Sequence, residues 1–271
     1  MLEQDDPQVA PHLDMGPDID IVLGDAALAG PARALGPYRL AGDALLFEMA
    51  GVARYRCEAG ARITVQPATG ALESAVTGYL IATALPALLW MRGDIVLHMA
   101  AVVLPGMSGA IALGGASGSG KSTILHQLVA AGVHAVADDT ICVRFDGQDP
   151  MVSGLCGGYF LADADVRTFR TVPPEQCLSS ARLAGIVMLG PRRSSGIAAF
   201  RALKGVSAFE MLLAGRHRPR VPTLLGRNAA LSPVLARLAG NLPIHRWNRL
   251  EGQREVDPQD LARLISGGAA R

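Results

Sequence analysis

The stretch GASGSGKS, Gly115 to Ser122, sets Gly115, Gly120, Lys121 and Ser122 at the spacing G-x-x-x-x-G-K-[ST]. That pattern folds backbone N–H groups around phosphate oxygens, and the helix N-terminus that follows adds partial positive charge. The residues expected to line such a loop are Gly115, Ala116, Ser117, Gly118, Ser119, Gly120, Lys121, Ser122 and Thr123. Lys121 is expected to reach the β- and γ-phosphates of ATP, and the Ser122 hydroxyl to ligate Mg²⁺. The flanks suit the motif. AIAL (110–113) is an apolar run that reads as a buried strand. After the loop, Ile124, Leu125, Leu128 and Val129 share one helical face, and Gly132 offers a stop.

Two more groups that could do chemistry are Asp138 and Asp139, 17 and 18 residues after Lys121 in VADDT. A carboxylate at the end of a strand beside a phosphate loop is placed to hold Mg²⁺. Neighbours on a strand point to opposite faces. One aspartate can therefore join Ser122 at the metal while the other takes the proton of an attacking hydroxyl. The alternative is one metal ligand and one aspartate that only caps a turn.

The elements that must position these groups follow from periodicity. Residues 1–20 are polar and proline-bearing and read as a loose leader. Residues 21–92 read as a small β-rich region plus an apolar helix. From Leu40 to Val65 the pattern becomes period two, and ALLFEM, VARYRC and RITV, separated by turn signals, read as a small antiparallel sheet. An uncharged stretch from Ala75 to Met91 reads as a buried helix, interrupted by Pro86 and slightly short for a bilayer span. Residues 93–271 carry the nucleotide core, with strands expected at DIVLHMAAVVL, HAVA, ICVRF, GIVML and LPIHRW. Two tail helices are expected after Ser232-Pro233 and Asp257-Pro258, where an N-cap residue precedes proline.

Composition narrows the partners. A net charge of +1 supplies no field for nucleic acid or an anionic membrane, and 4% aromatic residues offer no stacking platform. The four cysteines form no C-x-x-C pair and read as thiols of a reducing compartment, with the cytoplasm as the expected location.

The run LHMAAVVLPGMSGAIALGGASGSGKSTILHQLVAAGVHAVADDT resembles the kinase domain of the HPr kinase/phosphorylase family. That family has a histidine before the phosphate loop, then GxSGxGKS, a helix and an ADD motif. His98, Gly115 to Ser122, and Ala137-Asp138-Asp139 are the counterparts. The close resemblance covers residues 97–145 and weakens over the rest of 93–270. It implies an α/β fold of the HPr-kinase type, similar to phosphoenolpyruvate carboxykinase, with a mixed sheet and a small β-rich region in front. It also implies that His98 and one aspartate assist deprotonation of a serine. A histidine at a strand is otherwise a satisfied core residue. The sequence does not fix which aspartate is the base; the working assignment is Asp138 as base and Asp139 on the metal side.

Departures from the family narrow the activity. Its bifunctional members carry a glycine- and glutamate-containing signature downstream. Here SSARLAGIVML keeps Arg182 and Gly185 but lacks the glutamate, Glu175 being the nearest. The chain looks more like short, stand-alone HPr-kinase-like proteins of peptide natural-product pathways, which phosphorylate a serine of a lasso-type precursor peptide. The resemblance thus implies a peptide or protein acceptor, and a homo-oligomer is possible because the family forms hexamers. The competing readings are a small-molecule kinase with a phosphate loop, an HPr(Ser) kinase/phosphorylase, and a nucleotide-binding regulator without catalysis. Last, RHRPR (216–220) clusters cations around Pro219. Arg216 and Arg218 are candidates for holding the acceptor peptide or the phosphoryl group, against the alternative of a solvated basic loop.

Overall fold

The computed structural model describes residues 19–268, apart from 156, 164–165, 193, 195–198 and 252–254. The expected leader lies, up to residue 18, outside the described residues. The described chain forms two compact units. One joins the segment ending at Val96 to Arg216–Pro233; the other joins Leu97–Gly215 to the segment beginning at Val234.

The first unit is built on six strands: β1 (Asp20–Leu23), β2 (Arg33–Leu35), β3 (Tyr38–Ala41), β4 (Ala44–Met49), β5 (Ala53–Glu58) and β6 (Arg62–Pro67). Their order is β1-β6-β5-β4-β3-β2, antiparallel except for the parallel β1–β6 edge. The period-two pattern has the expected cause. In β5 the side chains of Ala53, Tyr55 and Cys57 are buried, while Arg54, Arg56 and Glu58 alternate on the wetter face.

Against this sheet packs a helical stretch, α1 (Glu73–Tyr79), a π-helical turn over Leu80–Ala84, and α2 (Leu85–Arg92). By length and composition the whole stretch is apolar enough to cross a membrane, and 39% of its most apolar window is buried within the protein. Pro86 has no N–H, so the carbonyl of Ala82 lacks its ordinary donor one turn on. Arg218 supplies two, from Nε at 2.8 Å and Nη2 at 2.6 Å. Arg227 does the same at the end of α2, donating to the carbonyls of Trp90 at 2.8 Å and Met91 at 2.7 Å.

The second unit is mixed α/β. β7 (Ile95–Leu97) stops at His98, so DIVLHMAAVVL is two strands and not one. The main sheet runs β10 (His134–Ala137), β8 (Met99–Val103), β9 (Ala110–Gly115), β15 (Ser180–Leu189), β12 (Asp149–Gly154), β11 (Ile141–Asp146). β8 is antiparallel to both β10 and β9, whereas β9 and β15 are parallel. The C-terminal half of β15 also pairs in parallel with β17 (Ile244–Asn248), which carries β16 (Ala199–Leu203) at its other edge. A separate hairpin joins β13 (Gly158–Asp163) and β14 (Val166–Thr171).

Helix α3 (Lys121–Ala130) covers the sheet. Its buried Ile124, Leu125, Leu128 and Val129 join Val102, Ile111, Leu113 and Leu189 in one core. Full burial of each such side chain contributes about 1.5–3 kcal/mol. The final helix, Pro258–Gly268, starts as expected: Asp257 Oδ1 accepts the N–H of Gln259 at 2.7 Å and of Asp260 at 3.1 Å. The preceding helix does not. It runs Asn228–Asn241 with Pro233 inside, and Ser232, expected as its cap, instead donates to the Asn228 carbonyl at 3.0 Å.

Candidate phosphate-loop site

Gly115 ends β9 with φ +145, and the chain folds back so tightly that a Cβ there would lie 2.6 Å from Ser119 Oγ and 3.0 Å from the Leu189 carbonyl. Only glycine fits that turn. Gly120 follows with φ +91, and α3 begins at Lys121. Strand, glycine loop and helix thus stand as the sequence pattern requires.

Lys121 is buried, 7% exposed, and its ammonium donates to the Gly115 carbonyl at 2.8 Å and the Ala116 carbonyl at 3.4 Å. Burial lowers its pKa, while the carboxylates of Asp139 and Asp138 pull it back up. The ammonium therefore lies along the loop that the phosphates would occupy.

The two aspartates arrive by a route the sequence hides. Asp138 and Asp139 lie just beyond β10, whose neighbour is β8 and not the phosphate-loop strand β9. Because β8 is antiparallel, its first residue, Met99, pairs with Gly114 at the C-terminal end of β9. The end of β10, the start of β8 and the end of β9 therefore share one edge of the sheet, and His98 sits at that edge.

The aspartates also diverge by a different means from strand alternation. Asp139 has φ +64, a left-handed conformation that aspartate tolerates better than most residues. The Thr140 N–H closes the turn onto the Asp138 carbonyl at 2.7 Å. This kink sends the side chains apart. Ser122 Oγ donates to Asp138 Oδ1 at 3.4 Å. His98 Nδ1 lies 3.2 Å from Asp139 Oδ1 and 3.0 Å from the Asp139 carbonyl oxygen. The pairing is the reverse of the working assignment, which put Asp139 with Ser122.

A serine hydroxyl beside a carboxylate is a set of hard oxygen donors, the kind Mg²⁺ takes. Ser122 and Asp138 fit that ion. Gly154 sits under the turn: a Cβ there would come within 2.3 Å of Ala137 Cβ and 2.8 Å of the Thr140 carbonyl. On α3, His126 Nδ1 meets the Tyr159 hydroxyl at 2.7 Å. Burial holds that phenol above its ordinary range, with Arg170 pulling it down and Asp138 pushing it up.

The basic cluster has tasks within its own unit. Arg218 holds Ala82, and Arg216 Nη1 donates to Asn228 Oδ1 at 3.1 Å. Arg182 donates to Ser108 Oγ at 2.9 Å.

Arg249 was missed in the sequence. It stands beyond β17, fully buried at 1% exposure, with Nη2 donating to the Ser119 carbonyl at 2.5 Å. No spacing rule points to it, because it reaches the loop from 130 positions away.

No protein-family model matches the chain. No curated protein matches it either. Among solved structures, the HPr(Ser) kinase/phosphatase from Coxiella burnetii is similar at 12% identity, covering 65% of this chain and 90% of that one, with a TM-score of 0.41. A likeness of that size assigns neither fold nor function.

Proposed function

We propose that this chain is an ATP-dependent kinase that phosphorylates a serine hydroxyl of a peptide or protein. The observation that carries this reading is the division of the paired aspartates at one sheet edge: Asp138 faces Ser122 beside the phosphate loop, and Asp139 faces His98. A protein that only binds nucleotide needs the first pair and not the second.

In this reading the backbone amides of the loop and Lys121 hold the phosphates. Ser122 and Asp138 would hold Mg²⁺, which supplies charge neutralisation between the β- and γ-phosphates. Asp139 is the base. Its carboxylate takes the proton of the acceptor hydroxyl as the hydroxyl oxygen bonds to the γ-phosphorus; the bond to the bridging oxygen breaks, and ADP leaves with that electron pair. The Nδ1–H tautomer of His98 would donate to Asp139 and fix the direction of the carboxylate. The base and metal roles are thus exchanged relative to the working assignment.

The acceptor class rests on the resemblance of residues 97–145 to HPr-kinase-like proteins. Within it, a precursor peptide of the lasso type is favoured over HPr, since SSARLAGIVML lacks the glutamate of the bifunctional signature. The cytoplasm, which supplies ATP and Mg²⁺, is the proposed location.

The test is incubation with ATP, Mg²⁺ and serine-bearing peptides, read by mass. A phosphate increment that disappears when the acceptor serine is replaced by alanine, and when Lys121→Ala replaces the wild-type enzyme, supports the reading. Nucleotide binding with no transfer to any peptide or protein would favour the regulator. A phosphorylated small metabolite would favour the small-molecule kinase.

A further inference from the structure

Arg249 is the one arginine among the largest fully buried side chains. Trp247 backs it, with Cζ 5.7 Å from the indole ring. Its Nη2 donates to the Ser119 carbonyl. Its Nε is buried and has no hydrogen-bond partner among the described residues. Among the described residues no carboxylate forms an ion pair with it. An isolated buried cation is costly unless something anionic compensates it.

The location says what that anion is. β17 is parallel to β15, and β15 to β9, so Trp247 pairs with Leu189 and Leu189 with Gly115. One row across the sheet thus leads from the phosphate loop to the strand that carries Arg249 two residues further on. There the guanidinium lies against Gly120: a Cβ on that glycine would come within 2.8 Å of Nη2. The glycine of the G-K-S step is required by its φ of +91, and a side chain there would also press on the guanidinium that arrives from beyond β17.

The Ser119 carbonyl belongs to the same peptide plane as the Gly120 N–H. Holding it on Arg249 fixes that plane, with the N–H on the opposite side from the carbonyl, where a phosphate would lie. Burial, with repulsion from Arg192, lowers the Arg249 pKa.

We propose that Arg249 is a phosphate-positioning residue. Its buried guanidinium turns the Ser119 carbonyl away from the nucleotide, and its charge is compensated by the bound β- and γ-phosphates. This rests on the nucleotide-binding reading above and adds to it a cation outside the loop motif.

The experiment compares wild type with Arg249→Met, which keeps the length and drops the charge, and Arg249→Lys, which keeps the charge and drops the planar fork. Binding of Mg-ATP, Mg-ADP and adenosine is measured by calorimetry, and the Tm of each nucleotide-free protein is recorded. In Arg249→Met the nucleotide-free Tm holds or rises, Mg-ATP and Mg-ADP affinity falls about 10-fold or more, and adenosine binding is unchanged. Arg249→Lys recovers part of the affinity. A strut that only supports the fold gives another pattern: Tm falls in both variants, or neither folds, or phosphate affinity survives. Any of these overturns the proposal. Failure of the wild-type protein to bind ATP or ADP overturns the nucleotide reading itself, and is seen before any variant is made.

Discussion

Ser122 Oγ donates to Asp138 Oδ1 at 3.4 Å, while the very next residue, Asp139, turns its carboxylate to His98. Adjacent carboxylates thus serve two places, through a left-handed kink at the second. Asp138→Asn should weaken Mg-ATP binding. Asp139→Asn should leave that affinity near wild type and lower turnover by about 10²–10⁴. Titration of Mg-ATP alongside single-turnover transfer separates the two, and identical behaviour in both assays would end the division of roles.

The turn that creates this divergence rests on Gly154. Gly154→Ala puts a methyl 2.3 Å from Ala137 Cβ, so the end of β10 must move. A displacement of about 1 Å at reacting groups costs about 10²-fold in rate. Turnover should drop by that order while far-ultraviolet circular dichroism stays native. A fully active Gly154→Ala would show that the aspartates tolerate movement.

Much of this site is readable in the chain because its parts are local. GASGSGKS is contiguous, and the apolar runs beside it fix their own strand and helix. The order of strands is not local. Nothing in HAVA says that β8 separates it from β9, and that insertion carries His98 to the same edge as the aspartates. Alternation along a strand predicts that Asp138 and Asp139 diverge, but not that the divergence runs through φ, which decides which of them faces Ser122. Arg218 looked like an anion binder because arginine forks suit phosphate. A backbone carbonyl left without a donor by Pro86 suits the same fork, and that demand is visible only once the helix is folded.

That pairing is testable on stability. Arg218→Ala leaves the part-buried Ala82 carbonyl unmet and should cost about 1–3 kcal/mol. Pro86→Ala restores an N–H one turn on and should offset part of the loss. A double-mutant cycle by chemical denaturation measures the coupling. Additive effects would mean that Arg218 does not answer to Pro86.

Alkaline titration should loosen the N-terminal sheet. The buried hydroxyl of Tyr55 and thiol of Cys57 are each pushed up to about 12, chiefly by burial. Below about pH 8 both are neutral, folded or unfolded, and the stability is fully present. As pH rises toward 12 the unfolded chain sheds these protons first, so stability falls. Tyr55→Phe removes one of the two groups, and its loss of stability between about pH 9 and 11 should be shallower than that of wild type. Parallel curves would remove Tyr55 from the account.

The first unit is finished by Arg216–Pro233, made after all of Leu97–Gly215. On the ribosome its sheet emerges early, yet the guanidinium groups that meet the Ala82 carbonyl and the end of α2, those of Arg218 and Arg227, arrive only once most of the other unit has been synthesised. The apolar helix 73–92 therefore waits, with its Ala82, Trp90 and Met91 carbonyls lacking their arginine donors, through the production of more than a hundred residues. That interval is when it is open to capture by chaperones or by a second nascent chain. Neither unit can be released intact by one cut, so a protease that nicks the chain between them leaves two fragments that must stay together to remain folded.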